Sequence, residues 1–432
     1  MAGSALAQDE AAKSPGQNPE EFSQTGPGND KQAGSNPVLK IAIVGCGGRG
    51  TGAARQALAA DPDTLLVAAG DAYEKPVSGT VALLKGIEDV AARVDVPEER
   101  QFVGLDCLEQ MLAAVPDIDV VLLASPPFFR PAQYATCIDA GKHVFTEKPV
   151  ATDIVGVQQT IETSRKAKEK GLTVVSGLCW RYETGMIDFQ QQIADGIIGR
   201  PVAAFSVRHS PIVGRTTPRD QSKTDFDHQL KNWYFATWLS GDFVVEQFVH
   251  DLDQVAWAMG EYPTSCIATG GRAARPEDQG NIFDHFSMVF TFPSGATYEA
   301  TTRHLNGAGQ SYYNHVIGTE GRADLMRYTA KSHDGEKLYR GKRGKVPMHQ
   351  AEHDRMFEAL RKGERIDNSE YMTQSTLMGI MAREAAYTGQ EISTEQLLAS
   401  NLSLQPSGVD WNAEPPELKV AVPGVTSLQR TA

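Results

Sequence analysis

VLKIAIVGCGGRGTGAARQAL, residues Val38 to Leu58, predicts a strand, a glycine-rich turn and a helix in immediate succession. The turn matches G-x-G-x-x-G, which is typical of a dinucleotide-binding βαβ unit when a strand precedes it and a helix follows. The first glycine allows a tight turn, the second lets the backbone approach a pyrophosphate, and the third lets the helix pack on the strand. The helix N-terminus offers N–H groups to the phosphates. The predicted cofactor-binding residues of this turn are Gly45, Gly47, Gly48, Arg49 and Gly50.

An acidic residue ends the next predicted strand. The segment LLVAAGD ends at Asp71. A carboxylate at this place in a dinucleotide-binding unit accepts hydrogen bonds from the ribose diol and repels a 2′-phosphate. The expected cofactor is therefore NAD rather than NADP. The alternative interpretation is a generic glycine turn followed by a solvated acid at a strand end.

Two further apolar strands continue the α/β alternation. IDVVLLASPP (Ile118–Pro127) is apolar along its whole strand, as parallel strands buried on both faces are. GKHVFTEKPV (Gly141–Val150) contains another short strand. Because ligands bind at the carboxyl ends of parallel strands, the loops after these strands should border the nicotinamide. The predicted cofactor-binding residues in these loops are Ser125, Pro126, Glu147 and Lys148.

The composition excludes several classes of function. With 432 residues, 41% of them hydrophobic and 22% charged, the chain is long enough for two globular domains. A net charge of −13 disfavours nucleic acid as a partner. No apolar run reaches the length of a membrane span, so no membrane partner is expected. Five cysteines without a C-x-x-C pair and ten scattered histidines predict buried free thiols and no metal site.

The first 37 residues differ in composition from the rest of the chain. They are rich in Gly, Pro, Ser, Gln and acidic residues, and this composition predicts a disordered segment or an arm that orders against a partner. Ala5-Leu6-Ala7 resembles a signal-peptidase site, although no basic or apolar region precedes it. One expectation is therefore the remnant of an export signal and a periplasmic or secreted protein. The alternative is a chance pattern in a cytoplasmic protein.

The segment WLSGDFVVEQFVHDLDQVAW (Trp238–Trp257) has the periodicity of an amphipathic helix. Its polar arc contains Glu246, His250 and Asp253 at positions i, i+4 and i+7. Two interpretations remain open at this point. In the first, the arc is an ordinary solvated face of the helix. In the second, it is a row of titratable groups in a half-covered cleft, and the presence of Trp257 on the same arc favours this second interpretation.

The glycine turn and a later motif, AGKHVFTEKP (Ala140–Pro149), together resemble the glucose–fructose oxidoreductase and inositol dehydrogenase (Gfo/Idh/MocA) family. Further segments are similar to that family, and the resemblance covers residues 38–400: GLCWRY, ADGIIGRPV, SGDFVVEQFVHDLD and VIGTEGRADL. The stretch NWYFATWLSGD is similar to a sub-branch in which export signals are common.

The resemblance implies an α/β fold with two domains. An N-terminal Rossmann domain with a doubly wound parallel sheet is expected over residues 38–160. A C-terminal α/β domain with a large, open, mostly antiparallel sheet is expected over residues 161–404, and an arm over 405–432. The resemblance also implies a homo-oligomer, dimer or tetramer, since open-faced sheets in this family commonly pair.

The resemblance also implies roles for individual residues. Lys148 would hydrogen-bond the reacting hydroxyl, His250 would accept its proton, and Glu246 would orient His250. Histidine suits such a base because its ordinary pKa lies near neutrality. Apart from the resemblance, a sugar pocket needs aromatic faces and a few polar groups, and Arg181, Trp233, Tyr234 and Asp253 are the expected substrate contacts. For Asp253 a structural role, as a cap or an ion-pair partner, is the open alternative.

This sequence departs from the family pattern at four places. Glu246 replaces the usual Asp, Asp242 and Phe248 replace glycines, and Arg130 stands where many members have His. These departures leave the substrate and the division of catalytic labour open.

Three functions follow as hypotheses. The leading one is an NAD(H)-dependent oxidoreductase acting on a secondary hydroxyl of a sugar, glycoside or polyol. The second is a glycoside hydrolase that oxidises the sugar transiently, eliminates the aglycone and recycles NAD. The third is a non-catalytic sensor of NAD or sugar, which the retained lysine and histidine disfavour.

Overall fold

A computed structural model describes residues 36–429, and the chain divides into two units. The first unit contains the residues up to Val150 together with Gln159–Tyr182 and Lys345–Glu370. The second unit contains Ala151–Gln158, Glu183–Gly344 and the residues from Tyr371 onward. Of the predicted arm over residues 1–37, residues 1–35 lie outside the described residues, and the export-signal pattern falls within them.

The first unit contains a six-stranded parallel sheet in the order β3-β2-β1-β4-β5-β6. This order confirms the predicted Rossmann topology, and its direction reverses between β1 and β4, where such sheets bind ligands. The strands are β1 Leu39–Val44, β2 Thr64–Asp71, β3 Gln101–Val103, β4 Val120–Leu123, β5 His143–Thr146 and β6 Val174–Ser176.

Helices cover both faces of this sheet, as parallel strands require. Their bounds are α1 Gly48–Ala60, α2 Glu74–Lys85, α3 Glu88–Ala91, α4 Cys107–Ala114, α5 Arg130–Asp139 and α6 Ile154–Glu169, with 3₁₀ turns at Glu98–Arg100, Pro127–Phe129 and Cys179–Tyr182. The central strands are buried almost completely, which explains their uniformly apolar sequences.

A late segment of the chain returns to the first unit. Helix α12 (Met348–Lys362) lies against the parallel-sheet unit, where Arg361 Nε is 2.7 Å from Asp61 Oδ2 and the His353 and Phe145 ring centroids are 4.4 Å apart. The predicted boundary at residue 160 is therefore wrong. Residues 161–182 remain with the first unit because β6 pairs with β5, and residues 345–370 join it through α12.

The second unit contains a nine-stranded sheet in the order β14-β13-β12-β11-β7-β10-β9-β8-β15. Among the described strands of this sheet only β7 and β10 pair in parallel, so the expected mostly antiparallel sheet is confirmed. The strands are β7 Pro201–Ser210, β8 Ser265–Gly271, β9 His285–Thr291, β10 Thr297–His304, β11 Ser311–Gly318, β12 Gly321–Asp324, β13 Thr329–Ser332, β14 Lys337–Arg340 and β15 Ile392–Ser393.

The helices of the second unit vary from one turn to five. They are α7 Thr184–Ala194, α8 Asp225–Lys231, α9 Thr237–Ser240, α10 Phe243–Glu246, α11 Val249–Met259, α13 Ser369–Thr388 and α14 Thr394–Ala399, with 3₁₀ turns at Arg219–Gln221, Trp233–Phe235 and Leu325–Arg327. Helix α13 is buried along most of its length, and within it Arg383 is fully buried and forms a 2.8 Å ion pair with Glu384.

The C-terminal tail runs along the second unit of the same chain. Thr224 Oγ1 donates to the Trp411 carbonyl at 2.8 Å, and Gln229 Nε2 donates to the Pro416 carbonyl at 3.0 Å. Further along, Gly424 N donates to the Thr388 carbonyl at 2.8 Å. Among residues 36–429 no helix is both long and apolar enough to cross a membrane.

Candidate active site

The glycine turn after β1 forms a cradle that fits a dinucleotide. Gly45 has φ +91°, and a Cβ there would lie 2.4 Å from Ser125 N, so the turn passes tightly against the loop after β4. A Cβ on Gly50 would lie 1.7 Å from the Gly45 carbonyl oxygen, which holds the helix against the turn. A Cβ on Gly47 would meet no atom within 4 Å. The space over Gly47 is therefore open to an approaching phosphate, and the three glycines have the predicted geometry.

Helix α1 begins at Gly48 with no side chain capping its N-terminus. Its first-turn N–H groups and the positive end of its dipole are therefore available to an anion. Arg49, in the same turn, forms an ion pair with Glu147, with Nε and Oε1 3.0 Å apart. The glycine turn and the loop after β5 are thus joined by a buried carboxylate.

Asp71 lies at the carboxyl end of β2, next to the glycine turn. Its Oδ2 accepts a 2.7 Å hydrogen bond from Cys46 N, and its Oδ1 accepts one of 3.0 Å from Tyr73 N. Burial raises the pKa of Asp71, while these backbone donors act in the opposite direction. The carboxylate is therefore held in place beside the cradle, where the ribose diol of a bound NAD would reach it.

The loop after β5 presents Lys148 beside the carboxyl ends of the strands. Lys148 is half-buried, and its backbone N donates to Glu147 Oε2 at 3.2 Å. Arg130 is buried, and its Nη1 donates to the Pro149 carbonyl at 2.6 Å. Arg130, which stands where many family members have histidine, therefore stabilises the loop that carries Lys148. In the loop after β4, Ser125 Oγ donates to Gln133 and is followed by Pro126.

In the second unit, the segment predicted as one helix is divided. α10 ends at Glu246 and α11 begins at Val249. Between them Phe248 N donates to the Phe243 carbonyl at 3.1 Å, a bond that spans five residues rather than four. Such widened turns interrupt α-helices and are frequent at functional sites.

Most of the polar arc on this segment is buried, so the solvated-face interpretation is wrong. Asp242 and Asp251 are fully buried, and Glu246 is 6% exposed. His250 and Gln247 are half-buried. The arc therefore contains buried groups that need partners within the protein, together with groups that remain partly accessible to solvent.

Three aspartates of the arc have identified partners. Asp242 Oδ2 accepts hydrogen bonds from Tyr387 Oη at 2.5 Å and from Phe283 N at 2.9 Å. Asp251 accepts from Arg208 Nη1 and from Asn314 Nδ2, both at 3.0 Å, and Asp253 accepts from Ser375 Oγ at 2.8 Å. These contacts give Asp253 a structural role, and its contact with substrate stays a prediction.

The departure from the family's glycine at position 242 is visible in the backbone. Asp242 has φ +73°, a conformation that side-chain-bearing residues seldom adopt. Its side chain accepts hydrogen bonds from the backbone N–H groups of Phe243, the next residue, and Phe283, in the loop before β9, and these bonds offset the strain of the backbone.

An aromatic row lies beside Glu246 in the second unit. The Trp233 and Tyr234 ring centroids are 5.5 Å apart, and His304 stacks on Phe243 at 4.2 Å. Burial raises the pKa of Tyr234, and the nearby Glu246 carboxylate raises it further. Trp233 is half-buried and Tyr234 is buried.

Two further residues lie in this region: His304, whose segment TTRHLN offers polar groups for a sugar pocket, and Arg208, which the sequence analysis did not single out. His304 is 1% exposed, and burial lowers its pKa well below the usual range. Arg208 pairs with Asp251 and lies 5.2 Å from the Tyr312 ring centroid. Both project from strands whose alternating pattern looks ordinary, so only the pairing of β7 with β10 shows that they are neighbours. Arg181 belongs to the first unit, where it is half-buried.

Two family models match the chain. One, described as "Oxidoreductase family, NAD-binding Rossmann fold", matches residues 39–178, and the "GFO/IDH/MocA C-terminal domain" matches residues 187–324.

Curated relatives and a solved structure are similar to parts of the chain. Myo-inositol 2-dehydrogenase of Thermotoga maritima is 28% identical over 233 residues, which are 53% of this chain and 63% of that protein. The 2,7-anhydro-N-acetylneuraminate hydratase of Escherichia coli is 24% identical over 55% of this chain and 59% of its own. The chain thus spans about three fifths of these relatives. The aldose–aldose oxidoreductase of Caulobacter crescentus, complexed with glycerol, shares the fold, with TM-score 0.63 and 17% identity over 82% of this chain and 99% of that one.

Proposed function

The chain belongs to the GFO/IDH/MocA family of NAD-binding oxidoreductases, and from this premise we propose that it transfers a hydride between NAD(H) and a secondary carbinol carbon of a sugar, glycoside or polyol. The observation that carries the proposal is the glycine cradle with open space over Gly47, next to a loop that presents Lys148. The inositol dehydrogenase among the relatives supports the polyol class of substrate.

The residues at the cradle have separate tasks in this reaction. NAD, when bound, supplies the hydride acceptor. Asp71 binds the ribose diol, and the N-terminus of α1 binds the phosphates. Arg130 holds the Pro149 carbonyl and so limits the positions open to Lys148. Restricting a catalytic group to one geometry lowers the entropy cost of reaching the transition state.

The proton of the reacting hydroxyl needs its own acceptor. We assign this role to His250 and the hydrogen bond to the developing alkoxide to Lys148, as the family resemblance implies. The lysine ammonium stabilises negative charge on oxygen, and the imidazole takes the proton at neutral pH. Glu246, buried one turn before His250, would stabilise the protonated imidazole.

Replacing Lys148 with Met tests the assignment. We expect turnover to fall by about 10² or more, the usual contribution of such a group, while NAD affinity changes little. Lys142→Met is the matched control because Lys142 directly precedes β5, the strand that Lys148 follows, and its ammonium donates to the Pro116 carbonyl at 2.7 Å. Turnover by Lys148→Met equal to that of the control would refute the role.

A second candidate function is a net non-redox reaction with recycled NAD. The similarity to a hydratase within an oxidoreductase family favours it. In such a reaction a carbinol is oxidised to a ketone, the acidified neighbouring C–H loses its proton, a leaving group departs, water adds and the ketone is reduced again. The hydride returns, so NAD is neither consumed nor released.

One assay separates the two candidates. The purified protein is denatured to release and quantify bound NAD, and native protein is offered aryl glycosides or free polyols. Accumulation of NADH with added NAD and a polyol supports the dehydrogenase. Release of aglycone from protein that retains NAD, with no net NADH, supports the recycling reaction.

A further inference from the structure

Three side chains with the chemistry of metal ligands converge inside the first unit. They are Cys179, His349 and Glu352, and one ligand atom from each lies within 4.8 Å of the others. Cys179 and Glu352 are buried, and the His349 side chain is 29% exposed. The NAD-binding cradle and its proposed chemistry use none of the three.

Two elements bring these side chains together. His349 and Glu352 lie three residues apart in the first turns of α12, so they share one face of the helix. Cys179 opens the 3₁₀ turn that follows β6, and α12 packs against this turn. Rigid elements of this kind hold ligands more precisely than mobile loops do.

The carboxylate of Glu352 lacks a hydrogen-bond donor. It is fully buried, and within residues 36–429 neither of its side-chain oxygens accepts a hydrogen bond. A buried carboxylate that accepts no hydrogen bond is costly, and the His349 ring, 3.5 Å from Glu352 Oε1, does not form one with it. The nearby guanidinium of Arg49 is already paired with Glu147 at 3.0 Å, so its charge is largely compensated.

The spacing of the ligand atoms suits a small divalent ion. His349 Nδ1 and Glu352 Oε1 are 3.5 Å apart. Metal–nitrogen and metal–oxygen bonds of zinc, joined at a tetrahedral angle, place the two ligand atoms about 3.3 Å apart. The partly exposed imidazole of His349 gives an ion a route from solvent.

We propose that Cys179, His349 and Glu352 form a binding site for a divalent transition-metal ion of the Zn²⁺ type. A thiolate, an imidazole and a carboxylate are a mixed ligand set that suits zinc and its borderline neighbours rather than magnesium or calcium. Three protein ligands leave the fourth tetrahedral position to water. The sequence expectation that the cysteines serve no metal is thereby revised for one of the five.

Cobalt provides a direct test because a cobalt–thiolate bond absorbs in the near ultraviolet. Chelator-treated full-length protein is titrated with Co²⁺ alone, and the metal content of untreated protein is measured by mass spectrometry. We expect one ion per chain and a thiolate charge-transfer band. Cys179→Ser should abolish the band, whereas Cys137→Ser, at another buried free cysteine of the same unit, should retain it.

Glu352→Gln keeps the test decisive if Cys179→Ser does not fold, which circular dichroism will show. Loss of a ligand should weaken Co²⁺ binding more than the roughly 10- to 100-fold that loss of a supporting partner costs. Absence of the band in the unmodified protein would overturn the proposal. So would a band that persists in Cys179→Ser, or Co²⁺ affinity in Glu352→Gln equal to that of the unmodified protein.

Discussion

The substitution Gly47→Ala, which adds one methyl group, should weaken binding of NAD while leaving the stability of the fold almost unchanged. The backbone there has φ −74° and ψ −175°, which alanine adopts without strain, and a Cβ would meet no protein atom within 4 Å. Alanine restricts the unfolded chain, which stabilises the protein by about 0.4–1 kcal/mol. It is also a poorer N-cap than glycine by a similar amount. The free energy of unfolding of Gly47→Ala should therefore stay within about 1 kcal/mol of the original.

The same methyl group occupies the space that a pyrophosphate needs. A hydrogen bond from a backbone N–H to a charged oxygen is worth about 1.5–3 kcal/mol. If Gly47→Ala displaces one such bond, the Kd for NAD should rise about 10- to 100-fold. Isothermal titration measures the Kd, and urea unfolding measures the stability of the same preparation.

Two neighbouring glycines provide matched controls. A Cβ on Gly50 would lie 1.7 Å from the Gly45 carbonyl oxygen, so Gly50→Ala must move backbone and should lose about 3 kcal/mol or more of stability. A Cβ on Gly52 would come no closer than 3.9 Å to Arg49, so Gly52→Ala should bind NAD normally. An unchanged Kd in Gly47→Ala would refute the inference that the phosphates lie over that residue.

Three further predictions concern charged groups. Asp71→Ser should shift the ratio of NADP to NAD affinity at least about tenfold toward NADP, measured by parallel titrations, because the carboxylate that repels a 2′-phosphate is gone. Burial raises the pKa of Asp242 to about 6 from an unfolded value of about 3.9. The native state therefore binds this proton more tightly than the unfolded chain does. The resulting stabilisation of the fold is complete below about pH 4 and is lost as the pH rises through about 6, so the free energy of unfolding should fall by about 3 kcal/mol over this range. Urea unfolding from pH 4 to 7 should show this loss in the original protein and not in Asp242→Asn. Arg383→Met should destabilise the second unit by about 3–5 kcal/mol in urea unfolding because it leaves the buried Glu384 uncompensated, and a partial recovery in the double variant with Glu384→Gln would confirm the cause.

The sequence predicts the Rossmann unit well because its evidence is local. Each strand, turn and helix near Gly45–Gly50 is specified within a few residues, and the parallel order follows from right-handed connections. No local sequence pattern of this kind predicts that α12 returns to the first unit. It depends on Arg361 reaching Asp61 and on His353 stacking against Phe145, and these partners are separated by most of the chain.

The polar arc of Glu246 to Asp253 shows where pattern analysis reaches its limit. A helical wheel separates apolar from polar positions, but it does not reveal whether a polar residue meets water, substrate or another side chain. The answer for Asp251 came from Arg208 on β7, and for Asp253 from Ser375 on α13. A buried polar group is stable only when such a partner exists, so its role is fixed by residues far away in sequence.

The same reasoning explains why Cys179, His349 and Glu352 are absent from any sequence prediction. Metal motifs are recognised from short spacings, and a cysteine separated from its companions by a whole domain offers none. What marks these residues is an energetic imbalance that only coordinates reveal: Glu352 is fully buried and accepts no hydrogen bond within residues 36–429. Folding tolerates such a group if the site neutralises it by protonation or by a cation, and the two outcomes differ in whether a cobalt–thiolate band forms. The imbalance therefore identifies the place where a ligand should be sought, independently of the reaction that the NAD cradle supports.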